Sequence, residues 1–398
     1  MLKSAFIVDI LRTPIGKYGG MLSGMRPDDM AAHVISSILN SNKSFDVNKL
    51  EDVILGAANQ AGEDNRNVAR MASLLAGLPI ETGGLTVNRL CASGLQAIMD
   101  ASKAIMVNEG SAYLAGGTES MSRAPFVIPK PEIPFSRNAE MVDTTIGWRF
   151  TNPRLKDMYY PYAMGQTAEN VAEKWNISRE AQDSFAHQSQ LRYQQAHDAG
   201  LFNEEITPVE IKLKKESTTF SKDEHPRLSS VDVLSGLKPA FKDGGTVTAG
   251  NSSGINDGAA VSLIVDEDTL KENELTPKVR IVSSAIAGVH PDIMGIGPIP
   301  ATQKALKRAG LNINDLGLVE LNEAFASQSL VCIQELGLDP EIVNVNGGSI
   351  AIGHPLGCSG TRISATLIHE MGKRDIKYGL ATMCIGVGQG AAVIFEKC

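Results

Sequence analysis

In VNRLCASGLQAIMDASKAI, Val87 to Ile105, Cys91 stands just ahead of a helical run with almost no polar face. A free cysteine is commonly a small buried hydrophobe. At a helix N-terminus it can instead be a nucleophile, because free N–H groups and the positive end of the helix favour a thiolate. Ala92, Ser93 and Gly94 are small and leave the sulfur unobstructed. His354 sits in GGSIAIGHPLG, where Gly347, Gly348, Gly353 and Gly357 let backbone approach a ligand and Pro355 fixes the turn. It is either a structural histidine or a neutral base able to take the Cys91 proton. Cys384 lies in CIGVGQGAA, at a strand end before a glycine-rich turn. The glycines imitate a phosphate loop, but a strand, AAVIF, follows instead of a helix, so the dinucleotide reading fails its context test. Gly386 leaves a backbone N–H free to face a substrate oxygen. Asn322 and Glu323 of LNEAFA read either as a helix cap with first-turn glutamate or as an Asn holding a water over a site. In TAGNSSGINDGAA, Ser252, Ser253 and Asn256 are turn residues or a site wall.

What must position these residues is a repeat. FDVNKLEDVILG from Phe45 and LNINDLGLVELN from Leu311 stand 266 residues apart, as do LCASG from Leu90 and LGCSG from Leu356. Tyr113 of AYLAGG and Gly379 of YGLATM share that offset. Three matches at one offset mark a duplicated unit. Each copy alternates apolar strands with helical periodicity, which implies an α/β layered fold. GAAVIFE starts at Gly390 but its mate GAAVSLIV at Gly258, so 134 residues, roughly Arg123 to Asp257, are inserted in the first copy. That insertion starts rich in proline and aromatics and turns helical at TAENVAEKWNISREAQDSF, with Ser178 as a cap. Long insertions of this kind shape binding sites. The expected domains are 1–122 completed by 250–277, an inserted domain 123–249, and 278–398.

SGLQAIMDASKAIMV and its mate SGTRISATLIHEMG are both nearly all apolar or small, so they are expected to pack against each other near the pseudo-twofold axis. The counterpart of Cys91 is Gly357, three residues after His354. Cys91 and His354 should therefore meet, although 263 positions separate them.

Composition narrows the classes. The chain has 398 residues, 43% hydrophobic and 21% charged, with a net charge of −8, which disfavours nucleic acid. A polyanionic ligand would need a local basic patch. Basic and acidic residues nearly balance within Arg123 to Ala249, so the insertion is the better place for an anion to dock. Cys91, Cys332, Cys358, Cys384 and Cys398 are far apart and odd in number, which excludes a disulfide framework and a CxxC metal site. They read as reduced thiols in a cytoplasmic protein. No apolar run approaches the roughly 20 residues of a membrane span, and the start, MLKSAFIVDILRTPIG, alternates like a strand and not like a signal peptide.

Together VNRLCASGLQAI, LNEAFA, GGSIAIGHPLGCSG, CIGVGQG, RTPIGKYGG and GTVTAGNSSGINDGAA resemble the thiolase family, in its motif order and across essentially the whole chain. The resemblance implies two similar halves with five-stranded mixed sheets around central helices, plus an inserted loop domain. It makes Cys91 the acyl-accepting nucleophile, His354 its base and Cys384 the second acid/base. Asn322, through a water, and His354 would form one oxyanion hole; the N–H groups of Cys91 and Gly386 would form the other. Ser253 resembles the pantetheine-contacting serine, Arg227 is a candidate for the nucleotide phosphates, and Met294 and Phe325 are candidates at the acyl pocket. The implied substrates are acyl-CoA and coenzyme A, with no bound cofactor or metal, in a homodimer or homotetramer. Acetoacetyl-specific biosynthetic members typically have a histidine just before MGxTAEN. Here Ala163 stands in that place, and DTTIGWRFTNPRL looks like degradative members. The implied activity is thiolytic cleavage of 3-oxoacyl-CoA. An acetoacetyl-CoA enzyme, a non-catalytic acyl-CoA binder, a decarboxylating condensing enzyme and a thiol-redox protein are the alternatives. Cys384 argues against the condensing enzyme, which typically carries histidine there, and nothing places a resolving cysteine beside Cys91.

Overall fold

The structure is a computed structural model and describes residues 3–212 and 216–398, so Met1 and Leu2 of the strand-like start lie outside it. The first half contains β1 (Phe6–Arg12), α1 (Pro27–Ser41), β2 (Leu50–Gly56), α2 (Val68–Leu75), β3 (Gly83–Val87), α3 (Ser93–Met106) and β4 (Ala112–Ser120). The chain then leaves the sheet, forms α4 (Met164–Lys174) and α5 (Arg179–Asp198), and returns as β5 (Asn256–Val265). The second half is β6 (Val279–Gly288), α6 (Pro298–Ala309), β7 (Leu318–Leu321), α7 (Ala326–Leu336), α8 (Leu356–Arg374), β8 (Tyr378–Ile385) and β9 (Gln389–Lys397). Ser178 caps α5 through the Ala181 N–H, as its sequence position suggested.

Two mixed sheets run edge to edge in the order β7-β8-β9-β6-β1-β5-β4-β2-β3. They join where β1 pairs antiparallel with β6, Phe6 opposite Arg280 and Ile7 opposite Val279. The halves are not equal. The first supplies five strands to this path and the second four. The apolar stretch IVNVNGG of the second half forms no strand and keeps one bridge, Val343 to Val319. Asn344 then turns at φ 47, and its side-chain amide takes over the pairing, accepting from Leu321 N and donating to Leu321 O, both at 2.8 Å.

Between the sheets lie α3 and α8, packed backbone to backbone. A Cβ on Gly94 would come within 2.7 Å of the Gly357 carbonyl, and one on Gly360 within 2.3 Å of Leu95 N. Only glycine permits that approach. Every residue of α8 from Gly357 to Met371 is buried, Arg362, His369 and Glu370 included. Residues of α1 and α2 cover the outer side of the first half and residues of α6 and α7 that of the second. Arg12, wholly buried at the end of β1, ties the inserted segment to the core through Glu205 at 2.7 Å and Asp223 at 2.6 Å.

Candidate functional site

Cys91 sits in a single 3-10 turn, Leu90–Ala92, that leads into α3, with Leu90 at φ 47. The turn packs against the start of α8, the element that follows His354. The half-buried residue does not behave as the helix-end argument suggested. Burial pushes its thiol up to about 11, against the opposing pull of the Gly386 N–H and its own N–H. Desolvation thus outweighs the helix end, and the resting group is a thiol.

His354 is buried, between the short helix Ser349–Ile352 and α8. Its backbone N–H donates to Asn256 Oδ1 at 2.9 Å, and Gly353, at φ 111, has no room for a Cβ against that same Asn256 side chain. The imidazole Nδ1 lies 2.7 Å from Ser359 Oγ. That hydroxyl donates to the Pro355 carbonyl at 2.8 Å. Its single proton is spent there, so Nδ1–H is the donor and Nε2 carries the lone pair. Nε2 is buried with no hydrogen-bond partner among the described residues. Desolvation, with Arg362 adding to it, lowers the imidazole to about 3, so it is neutral at pH 7.

Cys384, near the end of β8, is buried with Met294, Phe325, Ala168 and Val247, with Met164 packed alongside. Burial holds its thiol well above the ordinary value, and the nearby Cys91 raises it further. Gly386 follows in the β8–β9 turn; a Cβ there would meet Leu90 and the Met164 sulfur.

Asn322 is not a helix cap. The cap position of α7 is Phe325, and it makes no side-chain cap bond. Asn322 Oδ1 accepts from Ser349 Oγ at 2.6 Å, while its Nδ2 is buried and unpartnered among the described residues. Glu323 is not a first-turn glutamate either: it accepts from Ser189 Oγ, Asn344 Nδ2 and Ile350 N, binding α5 to the second half. Ser253 N donates to Ala324 O at 3.0 Å, which lays the returning chain beside the Asn322 loop. Arg227 stands apart from these residues. It is exposed and lines a cavity of about 400 Å³ with Lys17, Gln190, His225, Gly250 and Ile350. No group of acidic, His and Cys side chains suited to a metal occurs among the described residues.

The model of the thiolase N-terminal domain matches residues 5–268, and that of the thiolase C-terminal domain matches 275–397. The chain belongs to the thiolase family. It is therefore an acyltransferase. This thiolase is 54% identical to the beta-ketoadipyl-CoA thiolase of Escherichia coli, with each chain fully covered. It is 44% identical to the mitochondrial 3-ketoacyl-CoA thiolase of Rattus norvegicus, covering 100% of this chain and 99% of the relative. Among solved structures it superposes on human mitochondrial 3-ketoacyl-CoA thiolase with a TM-score of 0.94 at 43% identity, covering 100% and 99% of the two chains. The same human enzyme in complex with CoA gives a TM-score of 0.92, with 100% and 98% covered.

One residue of this thiolase site escaped the sequence reading. Glu119, buried at the end of β4, accepts from Ala58 N at 2.9 Å, Asn59 N at 3.1 Å and Gly357 N at 2.7 Å. Burial raises its carboxyl to about 7 despite those three donors, and its charge in turn raises the Cys91 thiol. The available signal was a lone acid in the otherwise small and apolar strand AYLAGGTES.

Proposed function

We propose that this thiolase cleaves 3-oxoacyl-CoA with coenzyme A, releasing acetyl-CoA and a shortened acyl-CoA, through an acyl-Cys91 intermediate. The observation that carries the reading is the bare, buried Nε2 of His354, held in the base-competent tautomer by Ser359, in the loop that leads into the Cys91 contact. A neutral thiol and a neutral imidazole form a resting pair in which proton transfer accompanies attack.

His354 Nε2 takes the Cys91 proton as sulfur attacks the C3 carbonyl, whose oxygen becomes an oxyanion facing the N–H groups of Cys91 and Gly386. Collapse breaks the C2–C3 bond. The electron pair passes to the acetyl-CoA enolate, whose oxygen faces His354 and a water held by Asn322 Nδ2, and Cys384 protonates C2. The Cys384 thiolate then takes the proton of incoming CoA. The CoA sulfur attacks the acyl group, and the departing Cys91 thiolate recovers its proton from His354. Each preorganised donor to an oxyanion is worth roughly 2.7–4 kcal/mol.

Ser253 beside the Asn322 loop, and Met294 and Phe325 packed with Cys384, fit pantetheine and acyl contacts. The cavity lined by Arg227, with Lys17 paired to Glu224 beside it, is the proposed place for the nucleotide phosphates. Relatives named as beta-ketoadipyl-CoA thiolases favour an acyl chain bearing a second carboxylate. Exposed Leu85 on the edge strand β3 and exposed Phe126, Ile133 and Phe135 suit a homo-oligomer. No helix among the described residues is long and apolar enough to cross a membrane, and a cytoplasmic site of action belongs to the same proposal.

A steady-state comparison of acetoacetyl-CoA with longer 3-oxoacyl-CoA substrates tests the reading. Longer substrates should be cleaved. Activity confined to the four-carbon substrate would make the protein an acetyltransferase instead.

A further inference from the structure

Arg149 lies in the inserted segment, half-buried, in the stretch DTTIGWRF. Its Nη2 donates to the Asn59 carbonyl at 3.1 Å and to Asn59 Oδ1 at 3.3 Å. Nε and Nη1 make no hydrogen bond among the described residues, and no carboxylate there lies within ion-pair distance. Arg26, Arg123 and Arg179 of the same region each hold a carboxylate, whereas Arg70 and Arg89 share with Arg149 a set of neutral oxygen partners; what distinguishes Arg149 is its location. A partly desolvated guanidinium with only neutral partners is a place where an anion gains most.

Its location says which anion. The Asn59 N–H donates to Glu119, whose other oxygen holds Ala58 N and Gly357 N. The Ala58 carbonyl accepts from Asn88 Nδ2 at 3.0 Å, three residues before Cys91. A Cβ on Gly56 would lie 2.3 Å from the Ser93 carbonyl carbon, so this loop presses on the Cys91 turn. On the other side, the indole N–H of Trp148 donates to Tyr162 O at 2.9 Å. Two residues later comes Met164, which packs with Cys384, Met294 and Phe325. The Trp148–Arg149 pair is therefore tied through Asn59 to the loop that presses on the Cys91 turn, and through Tyr162 to the segment that carries Met164. The cavity of Arg227 and Lys17 is lined by other segments.

We propose that Arg149 is a specificity residue that binds a carboxylate at the far end of the acyl chain, so that the substrates are 3-oxoacyl-CoA thioesters of dicarboxylic acids. The inference rests on the Cys91 thiolysis reading. A guanidinium offers a planar, two-donor match to a carboxylate, and its remaining donors are free for it.

The test compares kcat/KM for 3-oxoadipyl-CoA with that for 3-oxohexanoyl-CoA. The two have the same chain length and the same CoA and differ only in a terminal carboxylate or methyl. The wild-type ratio should be about 50, the range expected of a charge-assisted hydrogen bond. Arg149→Gln, which keeps a donor for the Asn59 carbonyl but no charge, should lower the ratio about 30-fold. Arg149→Lys should keep it within about fivefold of the wild type. A wild-type ratio near one overturns the inference while leaving thiolysis intact, and so does a ratio that Arg149→Gln moves by less than about threefold. Failure of the wild type to cleave any 3-oxoacyl-CoA overturns the underlying reading as well.

Discussion

His354 Nδ1 and Ser359 Oγ are 2.7 Å apart, and the hydroxyl already donates to the Pro355 carbonyl. One serine one turn into α8 thus decides which imidazole nitrogen is a base. Ser359→Ala removes that control and lets the proton sit on either nitrogen. A lost hydrogen bond of about 1 kcal/mol corresponds to a fall in kcat/KM of roughly 5- to 10-fold. Steady-state kinetics measures it, and unchanged kinetics would show that the tautomer is set elsewhere.

The two site thiols should separate by labelling. Cys91→Ser replaces a thiol with a much weaker acid, so radiolabelled acetyl from acetyl-CoA should no longer attach. Cys384→Ala leaves Cys91, His354 and the Gly386 N–H in place. It should still accept acetyl yet fail at carbon–carbon cleavage. Mass spectrometry of the labelled peptides decides, and label on Cys384 in the wild type would reverse the assignment.

Asn322 Nδ2 is buried without a partner among the described residues, while its Oδ1 is held by Ser349. A group so placed is oriented for a ligand or a water. Asn322→Ala should lower kcat by about 10²- to 10³-fold, as for other oxyanion donors. Stability should change little beyond the lost Ser349 bond, about 1 kcal/mol. A large fall in thermal stability with near-normal kcat would make Asn322 structural.

Glu119 gives a pH signature. Its carboxyl is raised from 4.5 to about 7, so the folded protein keeps a proton that the unfolded chain releases. That contribution to stability is present below pH 4.5 and is lost as pH rises through 7. Glu119→Gln cannot titrate. Between acid and pH 8 the stability difference should therefore move in the variant's favour by about 3 kcal/mol. Urea denaturation across that range measures it. A difference independent of pH would mean that Glu119 ionises normally.

Periodicity and repetition are one-dimensional, so they were legible without a fold. The common offset exposed the duplication, the apolar faces of α3 and α8 implied their burial, and glycines around His354 marked a close approach. The repeat also implied that the Cys91 turn and the His354 loop come together, and α8 does pack on that turn. That IVNVNGG keeps only one bridge was not legible, because it depends on Asn344 bonding a neighbouring strand. Nor was the state of the thiol. A helix end contributes only local dipoles, whereas desolvation sums over every atom that distant segments pack around a group. That sum raised Cys91 and Glu119 and lowered His354. The sequence by itself determined which residues could react and which halves carry them. The tertiary structure decided their protonation, the imidazole tautomer and the neutral partners of Arg149, since each depends on neighbours far away in the chain.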